Sequence, residues 1–264
     1  MKNLFFVIWS YKSFITSSIK TEYKTRFSRS NIGGLWMIIH PLAMVIVYTL
    51  ILSQIMTAKL PGVATQYAYP IYILSGIIGW TFFSEIFNRS LNVFIDNANL
   101  IKKMSFPKLA LPIIIIGTAL LNFMIFIFIT FLVLAFLGHF PYHALYWLPL
   151  LVFLTLLLAI SMGLFFGILN IFIRDIGQLM SVLLQFWFWF TPIVYMISIV
   201  PEKYHKFFMI NPLNGIIMGY QNILLYDKAP DFDLLIYPSF IILLFSILTA
   251  FIYKKANKEM ADVL

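Results

Sequence analysis

Few residues in this 264-residue chain have the types and spacings that chemistry needs. It has no cysteine, which removes thiolate nucleophiles, thiolate metal sites and disulfides. His139 and His143 stand four apart, the spacing of two metal ligands on one helix face, but Pro141 between them breaks a regular helix and puts both in a loop. His40 precedes Pro41 inside an apolar run, where a polar side chain serves backbone groups loosened by the proline. Glu85 and Arg89 are i, i+4 on one helix face and read as a structural ion pair that lowers the cost of holding charge near lipid. Arg174 and Asp175, in a very short connection, read the same way, with a direct ligand role as the alternative for both pairs. No G-x-x-x-x-G-K-[ST], H-E-x-x-H or G-x-S-x-G occurs, so no phosphate cradle, zinc protease or serine hydrolase motif is present. These residues hold structure together more readily than they transform a substrate, and no catalytic or metal-ligating set is assigned.

The elements that carry them are set by composition. Of the residues, 62% are hydrophobic and 11% charged, against about 25% charged in a soluble domain. An apolar window of roughly 20 residues crosses the hydrocarbon. Six windows qualify, at 35–57, 70–92, 109–138, 145–173, 178–199 and 234–253. The third and fourth are longer than a crossing needs, and Pro112 and Pro149 mark where bends are tolerated. With the N-terminus inside, 14 of the 18 Lys and Arg residues fall on the inner side and only Lys59, Lys203, Lys206 and Lys228 outside. The positive-inside rule therefore puts both termini in the cytoplasm. Orientation accounts for most of the net charge of +8, so no nucleic-acid partner is implied.

Two segments flank the spans. Tyr11, Ile15, Ile19, Tyr23 and Phe27 recur every fourth residue and form a slowly winding apolar stripe opposite Lys12, Lys20, Lys24 and Arg26. This predicts an amphipathic helix lying flat on the inner leaflet, its basic face toward anionic lipid, a cytoplasmic protein or a ligand phosphate. From His205 to Tyr226 the chain is apolar but carries the turn signals Asn211-Pro212 and Asn214-Gly215, and a crossing there would push Lys254, Lys255 and Lys258 outside. Two short helices dipping into the outer surface fit this segment, with an ordinary interfacial loop as the other reading. Gly163 and Gly167 form a G-x-x-x-G, a packing motif.

Four stretches are more specific: TEYKTRFSRSNIGGLWMIIHPL at 21–42, WTFFSEIFNRSLNVFIDNANLIKKMSFPKLALP at 80–112, IRDIGQ at 173–178 and NPLNGII at 211–217. Together they resemble, in order and spacing over nearly the whole chain, the membrane permease of bacterial type-2 ABC exporters for polysaccharide, the O-antigen, capsule and teichoic acid family. The resemblance implies an all-α membrane protein, one permease domain over 1–264, with six transmembrane helices. An N-terminal amphipathic interface helix would occupy 1–31, a cytoplasmic coupling loop 93–108, and short outward gate helices 200–233 between spans five and six. It implies a homodimer in the bacterial cytoplasmic (inner) membrane, bound to two copies of a separate ATPase that holds ATP and Mg. The cargo would be a glycan on a polyprenyl pyrophosphate lipid. The permease itself would bind no cofactor and would not be an enzyme.

By the same resemblance Asn97, Asn99, Leu100, Ile101, Lys102, Lys103, Phe106 and Pro107 form the helix that fits a cleft in the ATPase. Pro107 and Pro112 isolate this stretch as a short rigid lever, the alternative being a solvated basic loop. Lys24, Arg26 and Arg29 would sit at the inner entrance, where cations pair with a pyrophosphate head. Channel-lining aromatics would come from Trp36 and Tyr48 in the first span and Phe186, Trp187 and Phe190 in the fifth, against core packing or an aromatic belt. After N-P-x-x-G, family members often carry an acid and an arginine where this chain has Met218 and Gln221; that removes a charged gate latch and leaves an apolar plug.

A drug or lipid exporter of the same superfamily is the near alternative. A secondary carrier would need ion-binding polar groups at mid-membrane. A membrane glycosyltransferase would need exposed carboxylates, and the outer loops offer Glu202, Asp227, Asp231 and Asp233. Removing the charges of Arg26 and Arg29 is expected to reduce glycan export while ATPase assembly, measured by co-purification, stays intact.

Overall fold

The computed structural model describes residues 11–27, 33–47, 67–103, 108, 110–257 and 259–264, and these contain helices and turns with no strand among them. Hydrocarbon offers no partner for a backbone N–H or C=O, so long apolar segments satisfy these groups internally as helix. In chain order the helices are α1 (Lys12–Phe27), α2 (Trp36–Ile46), α3 (Ala68–Asp96), α4 (Ala98–Lys103), α5 (Ala110–Phe136), α6 (Leu148–Phe172), α7 (Asp175–Trp189), α8 (Glu202–Met209), α9 (Pro212–Leu224), α10 (Phe232–Ala256) and α11 (Met260–Val263). Pro112 and Pro149 fall in the first turns of α5 and α6, where a missing N–H removes no helical bond.

Among the described residues four helices are long and apolar enough to cross a membrane: α3, α5, α6 with its leading turn from Leu145, and α10. They correspond to the second, third, fourth and sixth windows of the sequence. The first window begins with α2; residues 48–66 lie outside the described residues. The fifth window departs from expectation. Its helix, α7, has 15 residues and stops at Trp189, giving about 22 Å of helix against about 30 Å of hydrocarbon. Pro192 explains the stop, because it lacks an N–H and its ring collides with the carbonyl four residues earlier.

α3 is the central element, buried on most of its surface and packed against α5, α6 and α9. Its contact with α6 is made by the G-x-x-x-G. A β-carbon on Gly167 would stand 2.5 Å from the Ser90 carbonyl oxygen, and one on Gly163 would stand 2.7 Å from Ser90 Cβ and 2.9 Å from the Phe87 carbonyl oxygen. α9 is buried nearly all round, wedged among α3, α6 and α10. A second, inner core joins Val93, Phe94, Ile101, Leu111, Ile115, Ile168 and Ile171 to Ala256 and Met260, so the C-terminal end of the chain packs beneath α4.

The apolar stripe of α1 meets protein: Ile15 is buried, and Ile19 nests where Gly117 of α5 leaves room. Lys12, Lys20 and Lys24 are exposed on α1. The leaflet-facing stripe expected from the sequence is thus redirected onto α5, because a glycine on a neighbouring helix offers closer packing than lipid. Gly167→Ala is expected to force α3 and α6 apart and to lower stability by about 1–3 kcal/mol. Thermal unfolding in detergent reads this, with Gly34→Ala, which has nothing within 4 Å of its added carbon, as the unchanged control.

Candidate functional site

Three places concentrate polar side chains: α4 with the end of α3, a junction about two turns back along α3, and a break in the helices beside the start of α3. At the inner end Asn97 closes α3 and opens α4. Its side-chain Nδ2 donates to the Val93 carbonyl at 2.8 Å, and its own carbonyl accepts from the N–H groups of Leu100 and Ile101. α4 is therefore fastened directly to the end of α3. Ile101 points into the inner core at 7% exposure, while Asn99, Leu100 and Lys102 are exposed. Lys103 ends α4; Phe106 and Pro107 lie outside the described residues. The expected coupling residues thus include one anchor and an outward face.

Further back along α3, Arg89 meets more than the carboxylate the sequence offered. Its Nη1 is 3.8 Å from Glu85 Oε1, but its Nη2 lies 2.8 Å from each carboxylate oxygen of Glu22 on α1. Arg89 also donates to the Thr118 hydroxyl on α5. Asn122 donates to Glu85 at 2.6 Å, and the Tyr23 hydroxyl is shared between Asn122 Oδ1 at 2.8 Å and the Thr118 carbonyl at 3.0 Å. Sequence reading missed Glu22, Tyr23, Thr118 and Asn122 as partners. A signal existed for two of them: Glu22 is the only acid before Glu85, and Asn122 interrupts an apolar window. Of the expected entrance cations, Lys24 is exposed on α1, Arg26 lies in its last turn with its side chain undescribed, and Arg29 lies outside the described residues.

The outer break covers Phe190 to Met196. Tyr69 donates to the Val194 carbonyl at 2.7 Å, and Tyr72 to those of Pro192 and Tyr195, both at 3.1 Å. Gln221 of α9 donates to the Pro192 carbonyl at 2.9 Å. Asn211 accepts from the Trp187 indole N–H at 2.7 Å and from the Leu213 N–H, and donates to the Thr191 hydroxyl at 2.9 Å and the Phe190 carbonyl at 3.2 Å. Asn211 therefore caps α9 and ties it to the end of α7 at once.

Among the expected lining aromatics, Phe186 and Phe190 are exposed on α7, whereas Trp187 is half-buried with its ring 5.4 Å from that of Phe83. Trp36 borders a cavity of about 310 Å³ together with His40, Phe82, Glu85, Asn122 and Phe126. Tyr48 lies outside the described residues.

In the outer loops, Asp227 accepts from the N–H groups of His143 at 2.9 Å and Ala144 at 2.8 Å, and its Oδ2 is 2.6 Å from His143 Nδ1. Asp231 accepts from the Asp233 N–H and caps α10. Both carboxylates are engaged in holding loops. His143 is paired with Asp227, and no group of three possible metal ligands occurs among the described residues. Burial raises the Asp227 carboxyl pKa, but the bonds from His143 and from the Ala144 and His143 N–H groups outweigh it, leaving a net lowering below the usual carboxylate value. The sign follows: a depressed carboxyl stabilises the fold above its unfolded value, about 3.9, and that contribution disappears as pH falls through the folded value. Asp227→Asn is expected to cost about 1 kcal/mol near neutral pH. The difference in melting temperature from wild type should begin to shrink as pH falls below about 4 and close as it passes through the folded value.

The family model described as ABC-2 type transporter matches residues 14–225. A protein named O-antigen export system permease protein RfbA from Myxococcus xanthus is 25% identical over 226 residues, 85% of each chain. One of the same name from Klebsiella pneumoniae is 28% identical over 203 residues, 76% of each. The polysialic acid transport protein KpsM of Escherichia coli is 24% identical over 200 residues, 74% of this chain and 75% of its own. With a family match running from α1 to the end of α9, this chain belongs to the ABC-2 type transporter family.

Proposed function

We propose that this chain is the channel-forming permease subunit of an ABC exporter that moves a lipid-linked polysaccharide, an O-antigen-like glycan on polyprenyl pyrophosphate, across the bacterial cytoplasmic membrane. The observation that carries this reading is the similarity over about three-quarters or more of both chains to permeases named for O-antigen and polysialic acid export. The chain has no Walker motif, so the work comes from a separate ATPase, two copies of which bind a permease homodimer and hold ATP and Mg. α4 is the part that takes up the ATPase motion: it is short, its outer face is exposed, and Asn97 and Ile101 fasten it to the bundle.

In this reading six spans place both termini in the cytoplasm, with α2 opening the first and α7 forming the inner part of the fifth. The second copy meets the exposed apolar face of α7, which carries Leu179, Val182, Leu183 and Phe186. α8 and α9 are the outward gate, held over the break at Phe190–Met196. Lys24, Arg26 and Arg29 neutralise the pyrophosphate at the inner entrance.

Deletion of the gene is expected to trap the polymer inside the cell. Restoration should require both this chain and a Walker-containing ATPase, and the ATPase should co-purify with the chain. Polymer remaining on the surface of the deletion strain, or cargo pumped uphill by vesicles containing this polypeptide alone, contradicts the proposal.

A further inference from the structure

Three helices meet at one closed ring of side chains. Glu22 of α1 binds Arg89 of α3, Arg89 reaches Thr118 of α5 and lies beside Glu85, Glu85 accepts from Asn122 of α5, and Asn122 accepts from Tyr23, the residue next to Glu22. Every link crosses between helices except that of Glu85 and Arg89, which is i, i+4 on α3. The ring is partly wet, with Arg89 26% and Glu22 36% exposed, so its worth to overall stability is modest. Geometry gives it another use.

The lever α4 hangs from the two helices that the ring clamps. Arg89 precedes Ala98 by nine residues and Thr118 follows Ala110 by eight, so the ring sits roughly 12–14 Å along each helix from the lever. Open space lies between α1 and the lever. A cavity of about 540 Å³, bordered by Phe14, Ser18 and Thr21 on one side and Asn97, Leu100 and Leu111 on the other, separates them. A second, of about 560 Å³, opens on the other flank, where Glu22, Thr25, Glu85, Asn88 and Arg89 meet. α1 therefore borders open space on its flank, and among its ties to the bundle are buried Ile15, Ile19 against Gly117 and the ring itself.

We infer that the ring Glu22–Arg89–Glu85–Asn122–Tyr23 is the mechanical tie that carries displacement of α4 to α1, with Arg89 as its positioning residue. This rests on the reading of α4 as the ATPase-driven lever. An arginine suits the role: the planar guanidinium holds Glu22 and Thr118 on separate nitrogens, so α1 and α5 keep a fixed relation to α3. When the lever moves the ends of α3 and α5, α1 is carried with them instead of lagging in its cavity.

The test uses the full permease with its ATPase in cells and in vesicles, reading three quantities: co-purification of the ATPase, its hydrolysis rate, and surface polymer exported per ATP. In Arg89→Gln and Glu22→Gln, co-purification and hydrolysis are expected to stay near wild type while export per ATP falls about fivefold or more. Glu22→Gln keeps its shape at a partly exposed position and so serves where Arg89→Gln does not fold. The chain has no cysteine, so Ile19→Cys with Gly117→Cys in the Arg89→Gln background gives a disulfide tie of α1 to α5 without competing thiols. Oxidation is expected to restore export per ATP and reduction to remove it again. Unchanged export per ATP in both single variants, or a loss that the oxidised pair leaves unrepaired, overturns the inference. Absence of export by wild type with its ATPase would instead refute the proposed function, so the two failures are separable.

Discussion

Hydrocarbon leaves no backbone polar group without a protein partner, and this constraint organises the molecule. Long apolar windows obey it by becoming uninterrupted helices, as α3, α5, α6 and α10 do. Where Pro192 ends α7 early, the carbonyls of Phe190, Pro192, Val194 and Tyr195 are met by side chains brought from elsewhere: Tyr69 and Tyr72 one turn apart on α3, Asn211 at the cap of α9, and Gln221 of α9. The break is therefore a built feature. α9 is held in place as much by these donors as by its apolar contacts, because releasing it would strand both the carbonyls and the amides that meet them.

The inner end solves a different problem with similar means. Charge near the membrane edge needs partners, and Arg89 finds them on three helices. Directly below, the inner core joins the ends of α3, α5, α6 and α10 around Ile101. Lys108 donates to the Asn257 carbonyl at 2.8 Å, tying the start of α5 to the end of α10. α4 is consequently attached through Asn97 and Ile101 to a bundle whose members are joined to one another. α7 is more exposed: it buries Met180 and Leu184 and is bound at one end by the Gly177 N–H donating to Asn170 and at the other through Trp187, Phe190 and Thr191.

Much of this was legible in residue order. Length and hydropathy located the four long helices, Gly163 and Gly167 identified a close approach, and the Asn211-Pro212 signal marked the join of two short helices. The early stop of α7 was present as Pro192 but was overridden by the apolarity of its neighbours, since a hydropathy window weighs burial and not the missing N–H. Partner choice was the part that local reasoning could not reach. The i, i+4 spacing offered Glu85 to Arg89, yet the closer carboxylate is Glu22, 67 residues away in the chain. Likewise α1 has a stripe that fits lipid and protein equally well by periodicity. The notch at Gly117 that decides between them sits on another helix.

The substitution at the outer segment gains its meaning from the break. Resemblance leads one to expect an acid and an arginine following N-P-x-x-G, and this chain has Met218 and Gln221 instead. A charged pair at that depth would have to neutralise itself, its two members turned toward each other. Gln221 is aimed elsewhere. It is 3% exposed, and its amide donates to the Pro192 carbonyl, which also accepts from Tyr72. A carbonyl with two donors is fully satisfied by neutral groups. A carboxylate at 221 would repel it, and an arginine would bring a buried charge with no carboxylate beside it in α9. Neutrality at 221 is therefore coupled to Pro192: the proline creates an unpaired acceptor, and an uncharged amide is the side chain that can meet it without adding a desolvation penalty of its own. The hold on the outer segment in this chain is a hydrogen-bonded one, sensitive to shape and to water access and not to salt.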